Sequence, residues 1–259
     1  MSFDDKVILI TGAGSGIGAD ASRHLAKLGG KIVLVDLNEP NLLQVEDEIK
    51  KSGYAAPLVI VADVTTDCER IISETIEHFG KLNVLVNNAG IVNYDTVNNV
   101  HLPEFDRVFD INVKSVVKLT QLAVPHLQKT KGNVVNISSV AALQSEPNLL
   151  SYSMSKAAIN QFTKCTALDL APFGIRVNSV NPSAIRTPIF EKVGLTAEQV
   201  DNFFEKIKSN YPVGRVGEVS DTSAGIAYLA SDSASFLTGV LLPVDGGALL
   251  GGCTLNSNK

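Results

Sequence analysis

Tyr152 and Lys156 stand four positions apart in "SYSMSK", residues 151 to 156, a spacing that stacks two side chains on one face of a helix. A phenol with its ordinary pKa of about 10 exchanges protons poorly near neutrality, and a cation within several ångströms favours its ionised form. A lowering of roughly three units corresponds to about 4 kcal/mol of differential interaction, enough to bring the group towards the pH where general acid-base catalysis works best. Lys156 is the cation that one helical turn brings within reach. Taken alone, the pattern is better read as an amphipathic helix start with a half-buried Tyr and a solvated Lys.

A second constellation lies near the N-terminus. "TGAGSGIG", residues 11 to 18, follows an apolar strand and opens a helix. Glycines there permit a tight turn and let backbone N–H groups approach a pyrophosphate at the positive end of the helix. Two registers fit, since Gly14, Gly16 and Ala19 also satisfy a G-x-G-x-x-A pattern. Asp36 ends the next strand about 20 residues on, where a carboxylate accepts hydrogen bonds from ribose hydroxyls and repels a 2′-phosphate. Leu37 and Asn38 follow it without a cation, and Ser15 takes the loop position where a phosphate-binding cation would stand. NAD(H) is therefore expected over NADP(H).

The elements that must hold these groups alternate along the chain. Short apolar runs, "KVILIT", "KIVLVD", "APLVIVAD", "LNVLVNN", "NVVNISS", "IRVNSVN" and "GVLLPVDGG", predict seven strands. Between them, helical periodicity predicts helices at about 16–28, 39–52, 66–79, 103–129 with a break, 151–172 and 218–231. Runs apolar at consecutive positions suit strands covered on both faces, and helical crossovers imply a parallel sheet. The expectation is a single-domain, doubly wound α/β fold with a sheet of about seven parallel strands flanked by helices. Asp67 and Ser220 are candidate N-caps, and Gly29, Gly80 and Gly174 candidate stops. Residues 187–215 are too long for an ordinary connection and carry helical character of their own.

Composition narrows the partners. Lys+Arg 22 against Asp+Glu 27 gives a net charge of -5, so there is no basic field to attract nucleic acid or anionic lipid. The acidic start "MSFDDKVILIT" does not read as a signal peptide, and no segment reaches the roughly 20 apolar residues of a membrane span, so a cytoplasmic protein is expected. Cys68, Cys165 and Cys253 are widely spaced, as are His24, His78, His101 and His126. Neither set forms a disulfide framework or a metal site.

Further motifs follow in order: "NNAG" at residues 87 to 90, "IN" ending at Asn112, "ISS" ending at Ser139, then "YSMSK" after twelve intervening residues. With T-G-x-x-x-G-x-G, they make the chain resemble a short-chain dehydrogenase/reductase up to "VDGG" at residues 244 to 247. The resemblance implies a Rossmann-type fold with Gly12, Gly16 and Gly18 as the motif glycines. It implies an active site of Asn112, Ser139, Tyr152 and Lys156. Tyr152 would exchange the proton and Ser139 would hydrogen-bond the same substrate oxygen. Lys156 would also bind the nicotinamide ribose, and Asn112 would hold a proton-relaying water. Cofactor contacts would extend to Ser15, Ile17, Asp36, Asp63, Val64, Asn88, Ile185 and Thr187.

After the sixth strand the family pattern N-P-G-x-[IV]-x-T is matched by "NPSAIRT", with Ser183 in place of glycine. That change removes access to positive φ and puts the local turn and cofactor affinity in question. Substrate is expected between the "SVAALQSEPNLLS" loop and the 187–215 segment, read as a lid. Leu149, Leu150, Ile189, Phe190, Phe203 and Phe204 are candidates for an apolar wall, and Asn93, Tyr94 and Gln144 for polar contacts. Compatible substrates are a steroid or ecdysteroid, a 3-oxoacyl thioester or a smaller secondary alcohol. The resemblance also implies a homotetramer paired through the long helices and the last strand, with the terminal "GGCTLNSNK" loose or in that interface. A dinucleotide-binding regulatory or scaffold protein without catalysis is the alternative.

Overall fold

A computed structural model of the chain describes residues 1–192, 194 and 196–250. Cys253 and the "GGCTLNSNK" segment lie outside the described residues.

The seven expected strands form one sheet: β1 (Val7–Thr11), β2 (Lys31–Asp36), β3 (Leu58–Val61), β4 (Val84–Asn87), β5 (Asn133–Ile137), β6 (Arg176–Pro182) and β7 (Leu241–Val244). Their order is β3-β2-β1-β4-β5-β6-β7 and every pairing is parallel. Strand order reverses between β1 and β4, so the two chains leaving those strands diverge and open a crevice at their carboxyl ends. All of β1 and β5 is buried, as expected for strands covered on both faces.

The helices are α1 (Gly16–Lys27), α2 (Glu39–Lys51), α3 (Cys68–Phe79), α4 (Leu102–Phe109), α5 (Ser115–Thr130), α6 (Leu150–Leu170), α7 (Ile189–Lys192), α8 (Ala197–Ile207) and α9 (Val219–Ala230). They divide the core in two. On one face α1, α2 and α9 bury Leu25, Leu42, Ile49 and Ile226 against Ile8, Ile10 and Leu34. On the other, α3, α5 and the end of α6 bury Ile71, Leu119, Leu127 and Leu170 against Leu9, Val33 and Leu85.

The break expected within residues 103–129 is a π-helical turn, Asp110–Lys114, between α4 and α5. Its widened ladder carries Asn112, in keeping with the tendency of π-bulges to occur at functional positions. Gly29, Gly80 and Gly174 all adopt positive φ at the ends of helical segments. Of the two expected N-caps, Ser220 is corrected and Asp67 is found in place. Glu218, not Ser220, caps α9 in a reciprocal arrangement with Asp221. Asp67 occupies the N-cap of α3 but makes no cap bond, because its Oδ2 accepts instead from the Asp63 amide. Among the described residues no helix is long and apolar enough to cross a membrane.

Candidate active site

The cleft at the β1/β4 switch point encloses about 1730 Å³, more than the ~300–1,000 Å³ of an ordinary single-ligand pocket. Gly12, Ser15, Gly16, Ile17, Asp36, Asp63, Val64 and Asn88 line one part of it. A Cβ on Gly18 would lie 2.2 Å from the Gly12 carbonyl oxygen and 2.5 Å from Asn88 Nδ2. Gly12 itself has φ +65, so the register with Gly12, Gly16 and Gly18 is the one the turn requires. Asn88 locks this turn by donating from Nδ2 to the Thr11 and Gly12 carbonyls at 2.8 and 3.1 Å. Thr11, unassigned from sequence, accepts both the Asn88 and Ala89 amides on Oγ1 at 3.0 Å. The result is a narrow cradle of backbone that side chains would fill, a shape that fits a pyrophosphate at the start of α1.

Asp36 closes the far side of the cradle. Its Oδ2 accepts the Gly14 amide and its Oδ1 the Asn38 amide, both at 3.0 Å. Asp63 caps its own turn through Thr65, whose amide and hydroxyl both bond Oδ1, and it still faces the cleft.

The other part of the cleft gathers Ser139, Tyr152 and Lys156. The start of α6 presents Tyr152, and one turn later the buried Lys156 places Nζ 5.7 Å from the phenol ring centroid. That ammonium donates to the Ile137 carbonyl at 2.8 Å, tying α6 to the end of β5. Ser139, just past β5, accepts the Ala141 amide on Oγ at 3.1 Å, while its carbonyl accepts from Asn181 Nδ2. Asn181 was not anticipated from sequence; it stands on β6 and also bonds Asn160 of α6, so it braces Ser139 from below. Asn112 is buried and its amide is spent on the Ile91 main chain and on Ser155 Oγ. It joins the loop after β4 to α6, and its side chain does not reach out towards the cleft as a free donor.

The expected lowering of the Tyr152 pKa by Lys156 is corrected. Burial raises the phenol above its ordinary value, a hydrogen bond from Ser139 opposes this, and Tyr94 nearby adds to the rise. Burial also pushes Lys156 down to about 8. Burial disfavours the charged form of each group.

A family model described as "Enoyl-(Acyl carrier protein) reductase" matches residues 12–248. The meso-2,3-butanediol dehydrogenase of Serratia marcescens is 36% identical over 248 residues, covering 96% of both chains. A short-chain dehydrogenase/reductase of unknown function from Caenorhabditis elegans, solved with cofactor, superposes with a TM-score of 0.92 at 34% identity, covering 97% of this chain and 98% of that one. The chain belongs to the short-chain dehydrogenase/reductase family. A third relative, a 3-ketoacyl-(acyl-carrier-protein) reductase from Brucella melitensis complexed with NADH, superposes with a TM-score of 0.87 at 34% identity, covering 95% and 99%. Members of the family are oxidoreductases that use NAD(P)(H), and the glycine cradle described above accommodates such a dinucleotide.

Ser183 stands where the family pattern has glycine. Its φ is not positive, so the backbone strain anticipated from sequence does not arise. Among the described residues its Oγ has no hydrogen-bond partner. Ile185 is buried and bridges to Gly217, and Thr187 packs over Gly16, whose added Cβ would meet it at 3.1 Å. Both border the cleft.

Of the apolar wall, Leu149, Ile189, Phe190 and Phe203 border the cleft, whereas Leu150 and Phe204 do not. Phe204 is buried inside the 187–215 segment, edge-to-face with Phe190 and Phe203 and covered by the Arg186 guanidinium 4.7 Å away. Tyr94 and Gln144 border the cleft. Asn93 borders it too, but its amide is given to Asp95 Oδ2 at 3.1 Å.

Proposed function

We propose that this protein is an NAD(H)-dependent enzyme that interconverts a ketone and a secondary alcohol, with Tyr152 as general acid and base. The observation that carries the reading is one cleft bordered both by the glycine cradle with Asp36 and by Ser139, Tyr152 and Lys156. The nicotinamide, when bound, supplies the hydride in reduction and accepts it in oxidation.

Tyr152 donates its proton to the ketone oxygen, and in the reverse direction takes the alcohol proton. Ser139 donates to that same oxygen and stabilises the charge that develops on it. Lys156 stands one helical turn from the phenol, and its ammonium is a donor for the nicotinamide ribose. The raised phenol pKa keeps Tyr152 protonated at neutral pH, the state that reduction needs. Asp36 receives the adenosine ribose hydroxyls and disfavours a 2′-phosphate. Asp63 and Val64 border the adenine, and Ile185 and Thr187 the carboxamide.

Residues 187–215 act as a lid over a substrate whose apolar body meets Leu149, Phe190 and Phe203. The exposed apolar side chains Val117, Leu168 and Phe173 support assembly as a homotetramer through α5 and α6. The intact Tyr152 and Lys156 speak against a purely regulatory or scaffold role. Relatives that act on a small diol and on an acyl-carrier thioester leave the substrate class open. The test is a panel of secondary alcohols, steroids and 3-oxoacyl thioesters assayed separately with NAD(H) and NADP(H). Cofactor turnover with none of them overturns the reading, and a preference for NADP(H) overturns the role of Asp36.

A further inference from the structure

Helix α6, which carries both Tyr152 and Lys156, begins without a side-chain cap of its own. Its N-cap residue is Leu149, which makes no cap bond, so the first-turn N–H groups need acceptors from elsewhere. Asp95, in the loop after β4, supplies one. Its side chain is 3% exposed, and Oδ1 accepts the Ser151 amide at 3.0 Å, one residue before Tyr152. The same stretch is bound through the main chain as well. Asp95 N donates to the Asn148 carbonyl at 3.0 Å and Leu150 N to the Asp95 carbonyl at 3.2 Å, forming a parallel bridge between Asp95 and Leu149. The other carboxylate oxygen accepts from Asn93 Nδ2 at 3.1 Å. Asn93 and Tyr94 border the same cleft as Tyr152.

One buried carboxylate thus holds two walls of the cleft, the start of α6 and the segment after "NNAG". A negative charge at the positive end of a helix suits this task, and burial keeps water from competing for either oxygen. We propose that Asp95 is a positioning residue for catalysis, setting where the Tyr152 hydroxyl stands relative to the substrate-facing residues Asn93 and Tyr94. The inference rests on Tyr152 being the acid-base residue. A misplacement of about 1 Å in a reacting group costs on the order of 100-fold in rate, so even partial loosening of α6 is measurable.

The test compares variants for kcat and KM with a secondary alcohol, for cofactor dissociation constant by fluorescence, and for thermal midpoint. Asp95→Ala is expected to lower kcat at least tenfold while the cofactor dissociation constant stays within twofold. Asp95→Asn keeps an acceptor for the Ser151 amide but turns an N–H towards Asn93, and is expected to fold and to lose kcat about fivefold. Adding Asn93→Asp on that background reverses the donor and acceptor, and is expected to raise kcat at least threefold over the single variant. A folded Asp95→Ala with kcat within twofold of wild type overturns the proposal. If Asp95→Ala does not fold, Asp95→Asn with wild-type kcat overturns it, as does failure of Asn93→Asp to rescue. Tyr152→Phe run in parallel separates the two claims: its retained activity removes the catalytic reading, whereas an inactive Tyr152→Phe beside an unimpaired Asp95→Ala removes only this one.

Discussion

Lys156 Nζ lies 5.7 Å from the centroid of the Tyr152 ring and spends one of its hydrogens on the Ile137 carbonyl. The lysine is buried and its pKa is drawn down to about 8, so its charge is held at a cost in stability. That cost is the difference from the ordinary value of 10.5, roughly 3 kcal/mol at neutral pH.

Lys156→Met is therefore expected to abolish turnover and yet stabilise the folded protein. The loss of the Ile137 bond takes back about 1 kcal/mol, leaving a net gain of ~1–2 kcal/mol, or a few degrees in thermal midpoint. The sign follows from linkage. Between pH 8 and 10.5 the unfolded chain binds more protons at this lysine than the folded one, so wild-type stability rises with pH through that window and the advantage of the variant fades. Denaturant melts at pH 7 and pH 10 check both statements.

Alcohol oxidation requires the phenolate of Tyr152, whose pKa burial holds above its ordinary value of 10. The kcat/KM for oxidation should climb steadily into the alkaline range, while that for ketone reduction should be flat at neutral pH and fall as Tyr152 loses its proton. Paired pH profiles in the two directions measure this. Equal profiles would contradict the assignment of the proton to Tyr152.

Asp36 fixes the Gly14 and Asn38 amides with its two oxygens. Asp36→Ala should weaken NAD binding about tenfold and narrow the ratio of kcat/KM for NAD over NADP by at least that factor. An unchanged ratio would show that the carboxylate does not set the preference.

Much of this was legible in the residues because local chemistry specified it. Consecutive apolar runs placed all seven strands, and the glycine turn at residues 11–18 was legible as a turn opening α1, whereas its register follows from the positive φ of Gly12 and the close approach at Gly18. What was not legible depended on distance through the fold. Asp95 has no motif of its own, and its importance comes from reaching Ser151, which is 56 positions away. Asn181 and Thr11 act through strands that only the sheet order brings alongside Ser139 and Asn88. The phenol pKa was misjudged from sequence because helical spacing gives proximity to a cation but says nothing of how far both groups leave water.

Ser183 illustrates the same limit. A missing glycine suggested strain, but the backbone there does not need positive φ. Ser183→Gly, which restores the pattern residue, should therefore leave cofactor affinity within threefold. Cofactor titration of that variant checks this, and a larger gain in affinity would show that the turn does need glycine.

The central claim is that Tyr152 moves the proton while the rest of the cleft holds the cofactor. Its most direct test is Tyr152→Phe, which keeps the ring beside Lys156 and removes only the hydroxyl. Turnover of the best secondary alcohol should fall by a factor on the order of 10² to 10⁴, with NADH dissociation measured by fluorescence unchanged within twofold. Turnover within tenfold of wild type, at full cofactor occupancy, would contradict the account.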